Sequence, residues 1–193
     1  MKNEIVFAMV VLAGCGGFGR VNQGQVVEYR PSQGLVTLVS DSNYHDPAHP
    51  RFDVLPAVTI HTPDDPREMG PAPQPGHLLS LDCANGGAVF FDPAAESLRS
   101  VPCALVSERA GVLPSDARVA KVRFPLRDRA KGTIAVYASR ERKLIEFSVP
   151  AEYRDLPDET WRIGDEIRYY YKDPGRALRL MNVTRTDLNK AGQ

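Results

Sequence analysis

Short apolar runs punctuated by Gly, Pro, Asn and Asp recur along the chain, and where alternation is visible its period is two. Val26 to Tyr29, Leu35 to Val39, Val58 to Thr62, Leu78 to Leu81 and Ala88 to Phe91 form a first set of predicted strands. Val119 to Phe124, Thr133 to Tyr137, Leu144 to Val149, Ile167 to Lys172 and Ala177 to Val183 form a second, with Asp173-Pro174-Gly175 as a hairpin turn. Ile145, Phe147 and Val149 alternate with Glu146 and Ser148, so that strand offers one face to a core. Helical periodicity is confined to single turns predicted within 94–99 and 151–161. The expectation is an all-β fold.

The two sets read as a diverged internal duplication. Gly24-Gln25-Val26-Val27-Glu28-Tyr29 parallels Gly132-Thr133-Ile134-Ala135-Val136-Tyr137, and Gly76-His77-Leu78-Leu79 parallels Gly164-Asp165-Glu166-Ile167. Residues 24–105 are assigned to a first β domain with a Pro-rich crossover at 46–76, residues 117–185 to a second, and 186–193 to a tail. The opening segment from Gly24 to Leu38 and the closing one from Gly164 to Thr184 resemble the hairpins of cold-shock domains and other OB-fold barrels. That resemblance implies one or two small OB-like barrels. It does not carry nucleic-acid binding, because Leu35 and Thr37 stand where those domains place base-stacking aromatics.

The N-terminus follows a different pattern. Ile5 to Ala13 is a nine-residue apolar run, the length of a secretory signal core and well short of the ~20 residues that span a bilayer. It ends in Leu12-Ala13-Gly14-Cys15, which resembles the lipobox of bacterial lipoproteins. The resemblance implies cleavage after residue 14, acylation of Cys15, and a lipidated tether over 15–23. Two or more acyl chains hold a protein stably on a membrane. The expected location is the cell membrane or the outer membrane, facing the periplasm, with the lipid bilayer and an envelope protein as partners. Cys83 and Cys103 then remain as an even pair in a compartment that permits a disulfide, with two free thiols as the alternative.

Composition narrows function by exclusion. With 24 basic and 24 acidic residues in 193, the chain gives no reason to expect a polyanion as obligatory partner. The balance conceals an asymmetry: Cys15 to Cys103 carries five basic and ten acidic residues, Ala104 to Gln193 eighteen and thirteen. Arg127, Arg129, Lys131, Arg140, Arg142 and Lys143 gather near one predicted hairpin, where they can meet anionic lipid, anionic glycan or an acidic partner, or simply water. His45 and His49 flank Asp46 as weak metal candidates, but Pro47 forbids the helix that would make them converge. Asp46, Asp64, Asp65 and Glu68 lack the spacing of a calcium loop and read as turn residues.

No nucleophile elbow or phosphate-cradling glycine loop occurs, so neither an enzyme nor a cofactor is expected. Trp161 and Tyr170 are the candidate ligand contacts, since alternation sends Tyr169 and Tyr171 inward. The reading is a non-enzymatic binding or envelope-complex accessory protein, with a glycan or small-anion binding module as alternative. A sizeable pocket lined by Trp161, or by His45 and His49, distinguishes the second from the first.

Overall fold

The fold is seen in a computed structural model that describes residues 19–46 and 49–186. Its centre is a five-stranded antiparallel sheet in the order β12-β11-β1-β2-β3. Here β1 is Arg20–Arg30, β2 Leu35–Asp41, β3 Phe52–His61, β11 Glu166–Tyr171 and β12 Arg179–Asn182. The two middle valines of β1 show why this sheet is central. Val26 packs with Val36, Leu38, Ile60, Ile167, Tyr169 and Leu180 on one face, and Val27 with Val39 and Phe91 on the other. Both faces are covered, so five consecutive residues, Gln23 to Val27, are buried and the strand shows no clean alternation.

A three-stranded sheet lies over the second face: β4 (Leu78–Asp82), β5 (Gly87–Asp92) and β6 (Ser97–Val101), in that order. Phe91 of β5 reaches the five-stranded sheet. Phe90, its neighbour on the opposite face, joins Leu78, Val101, Ile134, Val136, Ile145, Phe147 and Trp161 in the largest apolar cluster. Leu78 and Val101 belong to β4 and β6; the other partners come from a four-stranded sheet, β7-β10-β9-β8, comprising Ala104–Arg109, Lys143–Ser148, Thr133–Ala138 and Leu126–Asp128 respectively, and from the helical turn α1, Asp158–Trp161.

The all-β expectation holds, but the two sets of strands do not form separate bodies. β11 and β12, from the second set, pair with β1 from the first, with Gln25 opposite Glu166 and Arg20 opposite Tyr171. The boundary drawn between 105 and 117 therefore falls inside an interleaved structure. None of the sheets closes into a barrel. The five-stranded sheet curls until one parallel bridge joins His61 to Arg176, through His61 N–H to the Gly175 carbonyl (2.8 Å) and Ala177 N–H to the His61 carbonyl (2.9 Å). The segments proposed as repeats at 76–79 and 164–167 run side by side. Their glycines leave no room for a side chain, since a Cβ on Gly164 would lie 2.1 Å from the Val26 carbonyl oxygen and 2.9 Å from Gly76 N.

Other expectations change locally. Residues 20–23, assigned to the tether, are the start of β1. Residues 119–124 are not a strand, because Asp116 nucleates turns there: its side chain accepts from Arg118 N–H and its carbonyl from the N–H groups of Val119 and Ala120. Residues 94–99 are not a helical turn. Asp92 accepts from the N–H groups of Ala94 and Ala95 and closes a β-turn that leads into β6. The hairpin turn at Asp173–Gly175 is present, with Gly175 at φ +80°.

Charge is buried where the sheets meet. Glu166, 3% exposed, accepts from the Gln23 amide and pairs with Arg140, which stands at the turn between β9 and β10. Gln23 also donates to Asp41 and accepts from Arg168 Nε at 2.8 Å. A buried carboxylate is tolerated only with such partners. The network ties the four-stranded sheet to the central one.

Candidate functional site

The chain order brings five distant segments around one cleft of about 500 Å³, lined by residues of 74–75, 122–124, 136–139, 161–165 and Arg185. Its floor is Trp161. The residue is wholly buried, with Phe147 and Phe90 packed against its ring at centroid distances of 5.9 and 6.1 Å. Among the described residues its indole N–H has no hydrogen-bond partner. An unpaired buried donor typically costs about 1–3 kcal/mol and is rare in native interiors.

One rim is built on Asp165. Its Oδ2 accepts from Gln74 N–H (2.9 Å), Asn182 Nδ2 (2.9 Å) and Arg185 Nε (2.5 Å), and its own N–H donates to the Gln74 carbonyl at 2.8 Å. Asn182, 0% exposed, also donates to the Pro71 carbonyl. The Pro-rich crossover is thereby packed down as one side of the cleft. The opposite rim is the 122–124 segment, where Phe124 lies 6.1 Å from the Tyr137 ring at an interplanar angle of 42°. The Tyr137 phenol donates to the Val112 carbonyl at 2.8 Å, which leaves its oxygen able to accept.

Cations outnumber acids at this site. Arg185 is matched by Asp165, whereas Arg162 has only long contacts, 3.5 Å to the Phe124 carbonyl and 3.7 Å to Glu159. Arg123 is exposed and makes no hydrogen bond or ion pair with another described residue. The arrangement offers donors, two aromatic rings and surplus positive charge, and its acid is already engaged three times over.

The sequence-level candidates are dispersed. Trp161 lines the cleft but is buried rather than exposed, since it sits at the end of α1 and faces the core. Tyr170 does not reach the cleft; its ring lies against Gly19, where a Cβ would overlap it at 2.0 Å. Tyr169 is buried and stacks on Tyr171 at 5.3 Å. His45 stacks on Tyr44 at 3.9 Å, and His49 pairs with Asp46 at 2.9 Å on the surface. Among the described residues no three His, Cys, Asp or Glu side chains converge as a metal site. Cys83 and Cys103 are bridged, with Cα atoms 5.0 Å apart. Cys15 lies outside the described residues.

Much of the basic cluster is spent on contacts. Arg127 binds Asp158 and the Leu156 carbonyl, Lys143 binds Glu108, and Lys131 binds Asp128. The acidic turn residues do likewise: Asp65 caps the turn at Pro66–Glu68, while Asp64 and Glu68 pair with Arg176 and Arg179. A second hollow of about 460 Å³ borders Glu28, Arg30, His77 and Glu96, with Glu28 and Arg30 already paired at 3.4 Å.

Sequence reasoning missed Arg123, Phe124, Tyr137, Arg162, Asp165 and Arg185. Only Arg162, beside Trp161, carried a local signal.

The chain belongs to the family described as a domain of unknown function (DUF4881), whose model matches residues 17–191. No curated protein and no solved structure matches it.

Proposed function

We propose that this member of the family is a lipid-tethered protein of the bacterial envelope, held through acylated Cys15 and facing the periplasm, whose β body is a non-enzymatic module binding a small molecule. The tether is supported by the apolar run Ile5 to Ala13 ending in Leu12-Ala13-Gly14-Cys15, and by the Cys83–Cys103 bridge, which suits an oxidising compartment. None of the helices among the described residues is long and apolar enough to cross a membrane. The observation that carries the binding reading is the cleft of about 500 Å³, whose lining holds three arginines against one carboxylate. Its volume falls within the ~300–1,000 Å³ of small-molecule sites.

The test has two arms. In cell fractionation, wild-type protein should sediment with membranes and take up labelled palmitate, and Cys15→Ser should do neither; a variant that stays membrane-bound overturns the tether. Protein purified from envelopes should release a small molecule on denaturation, detected by mass spectrometry. Ser139→Tyr, which fills the cleft, should release none, and equal release from both proteins overturns the binding site.

A second reading, docking of an envelope protein, is favoured by β7. All six of its residues are exposed, including Leu105 and Val106, and it forms an edge of its sheet. Such an edge accepts a partner's strand through main-chain hydrogen bonds.

A further inference from the structure

Resting on the binding reading, we infer that the cleft takes an acidic sugar, with Arg123 and Arg162 holding its carboxylate or phosphate and the sugar ring lying against Phe124 and Tyr137. Charge sets the class. Three guanidinium groups and one carboxylate line the cleft, and the carboxylate is matched to Arg185 at 2.5 Å. The excess rests on Arg123, which has no partner among the described residues, and on Arg162, whose contacts are at 3.5 and 3.7 Å. A guanidinium presents a planar fork of N–H donors that matches the oxygens of a carboxylate or phosphate.

The remaining walls select what carries the anion. Phe124 and Tyr137 give a half-buried aromatic wall beside the two cations. Around it stand groups suited to hydroxyls: the Tyr137 oxygen as an acceptor, and Ser139 and the Gln74 amide as both donor and acceptor. A bare inorganic anion would leave the rings and these groups unused. A neutral sugar would leave Arg123 without a counter-charge and Arg162 with only its 3.7 Å contact to Glu159. An oxyanion on a hydroxylated ring uses the whole lining.

Trp161 is the only tryptophan in the chain, so intrinsic fluorescence reports on the cleft floor directly. The full-length protein, purified from membranes, is titrated with D-glucuronate, glucose 6-phosphate, glucose and inorganic phosphate. A saturable change with glucuronate or glucose 6-phosphate is expected, the responding probe identifying a carboxylate or a phosphate. Glucose and inorganic phosphate should bind at least tenfold more weakly. Arg123→Gln, at an exposed position that leaves the fold intact by near-UV circular dichroism, should weaken the responding sugar about tenfold or more, the loss of a charge-assisted hydrogen bond. Response to neither acidic sugar overturns the inference. So does binding of glucose, or of inorganic phosphate, as tight as that of the acidic sugars and unchanged in Arg123→Gln. Either result leaves the binding reading standing if Ser139→Tyr still loses the envelope-derived molecule. That reading falls only when the release is the same in both proteins.

Discussion

His77 precedes β4 and is half-buried, its ring hydrogen-bonded to the Val27 backbone with Glu159, Arg162 and Asp92 nearby. Burial holds its pKa below the usual histidine value, and the pull of Glu159 only partly offsets this. The unfolded chain takes up a proton near pH 6.5, where the folded chain resists it. Stability from this residue is therefore complete above about pH 6.5 and declines as pH falls through the window beneath it. Urea midpoints of wild type should drop between pH 7.5 and 5, and His77→Gln should drop less; equal drops would refute the assignment. Other single residues were less transparent in the sequence. Trp161 was singled out for its chemistry and does line a cleft, but its burial depends on α1, one turn long, which leaves no periodic trace. Tyr169 and Tyr171 followed alternation inward, while the covering of Tyr170 by Gly19 comes from the opposite end of the chain.

At the scale of elements, strands with an apolar face were legible and strands without one were not. β2, β5, β9, β10 and β11 follow their sequence patterns closely, whereas only Val26 to Tyr29 of β1 was legible. β7 carries no alternation because every residue is exposed; its strand character derives from pairing with β10. Residues 119–124 have strand composition, yet the Asp116 turn prevails over it. The disulfide links the turn after β4 to the segment between β6 and β7, enclosing β5 and β6 in a loop of sequence separation 20. Closing such a loop stabilises a fold by about 3 kcal/mol in the chain-entropy model. Cys83→Ser with Cys103→Ser should lose about that much in equilibrium urea unfolding, and reduction of the wild type should match it. Unchanged stability on reduction would show that the bridge carries none of it.

For the whole molecule, the decisive feature is the return of β11 and β12 to β1. The sequence showed the elements but not this exchange, since β units with similar turns fit two bodies in series as readily as one interleaved body. The cleft was hidden for the same reason: Gln74, Arg123, Tyr137, Trp161 and Arg185 approach one another only after the strands interleave. The opposite charge of the two halves is not what holds them. Their exposed pairs, Arg176–Asp64 and Arg179–Glu68, are worth about 0–1 kcal/mol each. Neither half should fold alone. Residues 24–105 and 117–185 expressed separately should lack cooperative thermal transitions and dispersed amide spectra, and a sharp transition in either fragment would restore two autonomous domains. The direction of β1 also sets a separation. Arg20, where the leader of an acylated Cys15 would join the body, lies six residues from Val26, whose N–H meets the Asp165 carbonyl at 2.9 Å. At ~3.3 Å per residue the mooring point and the mouth that Asp165 borders are about 20 Å apart. In the tethered form proposed above, a bound molecule would sit about that far along the strand from the lipid-linked end.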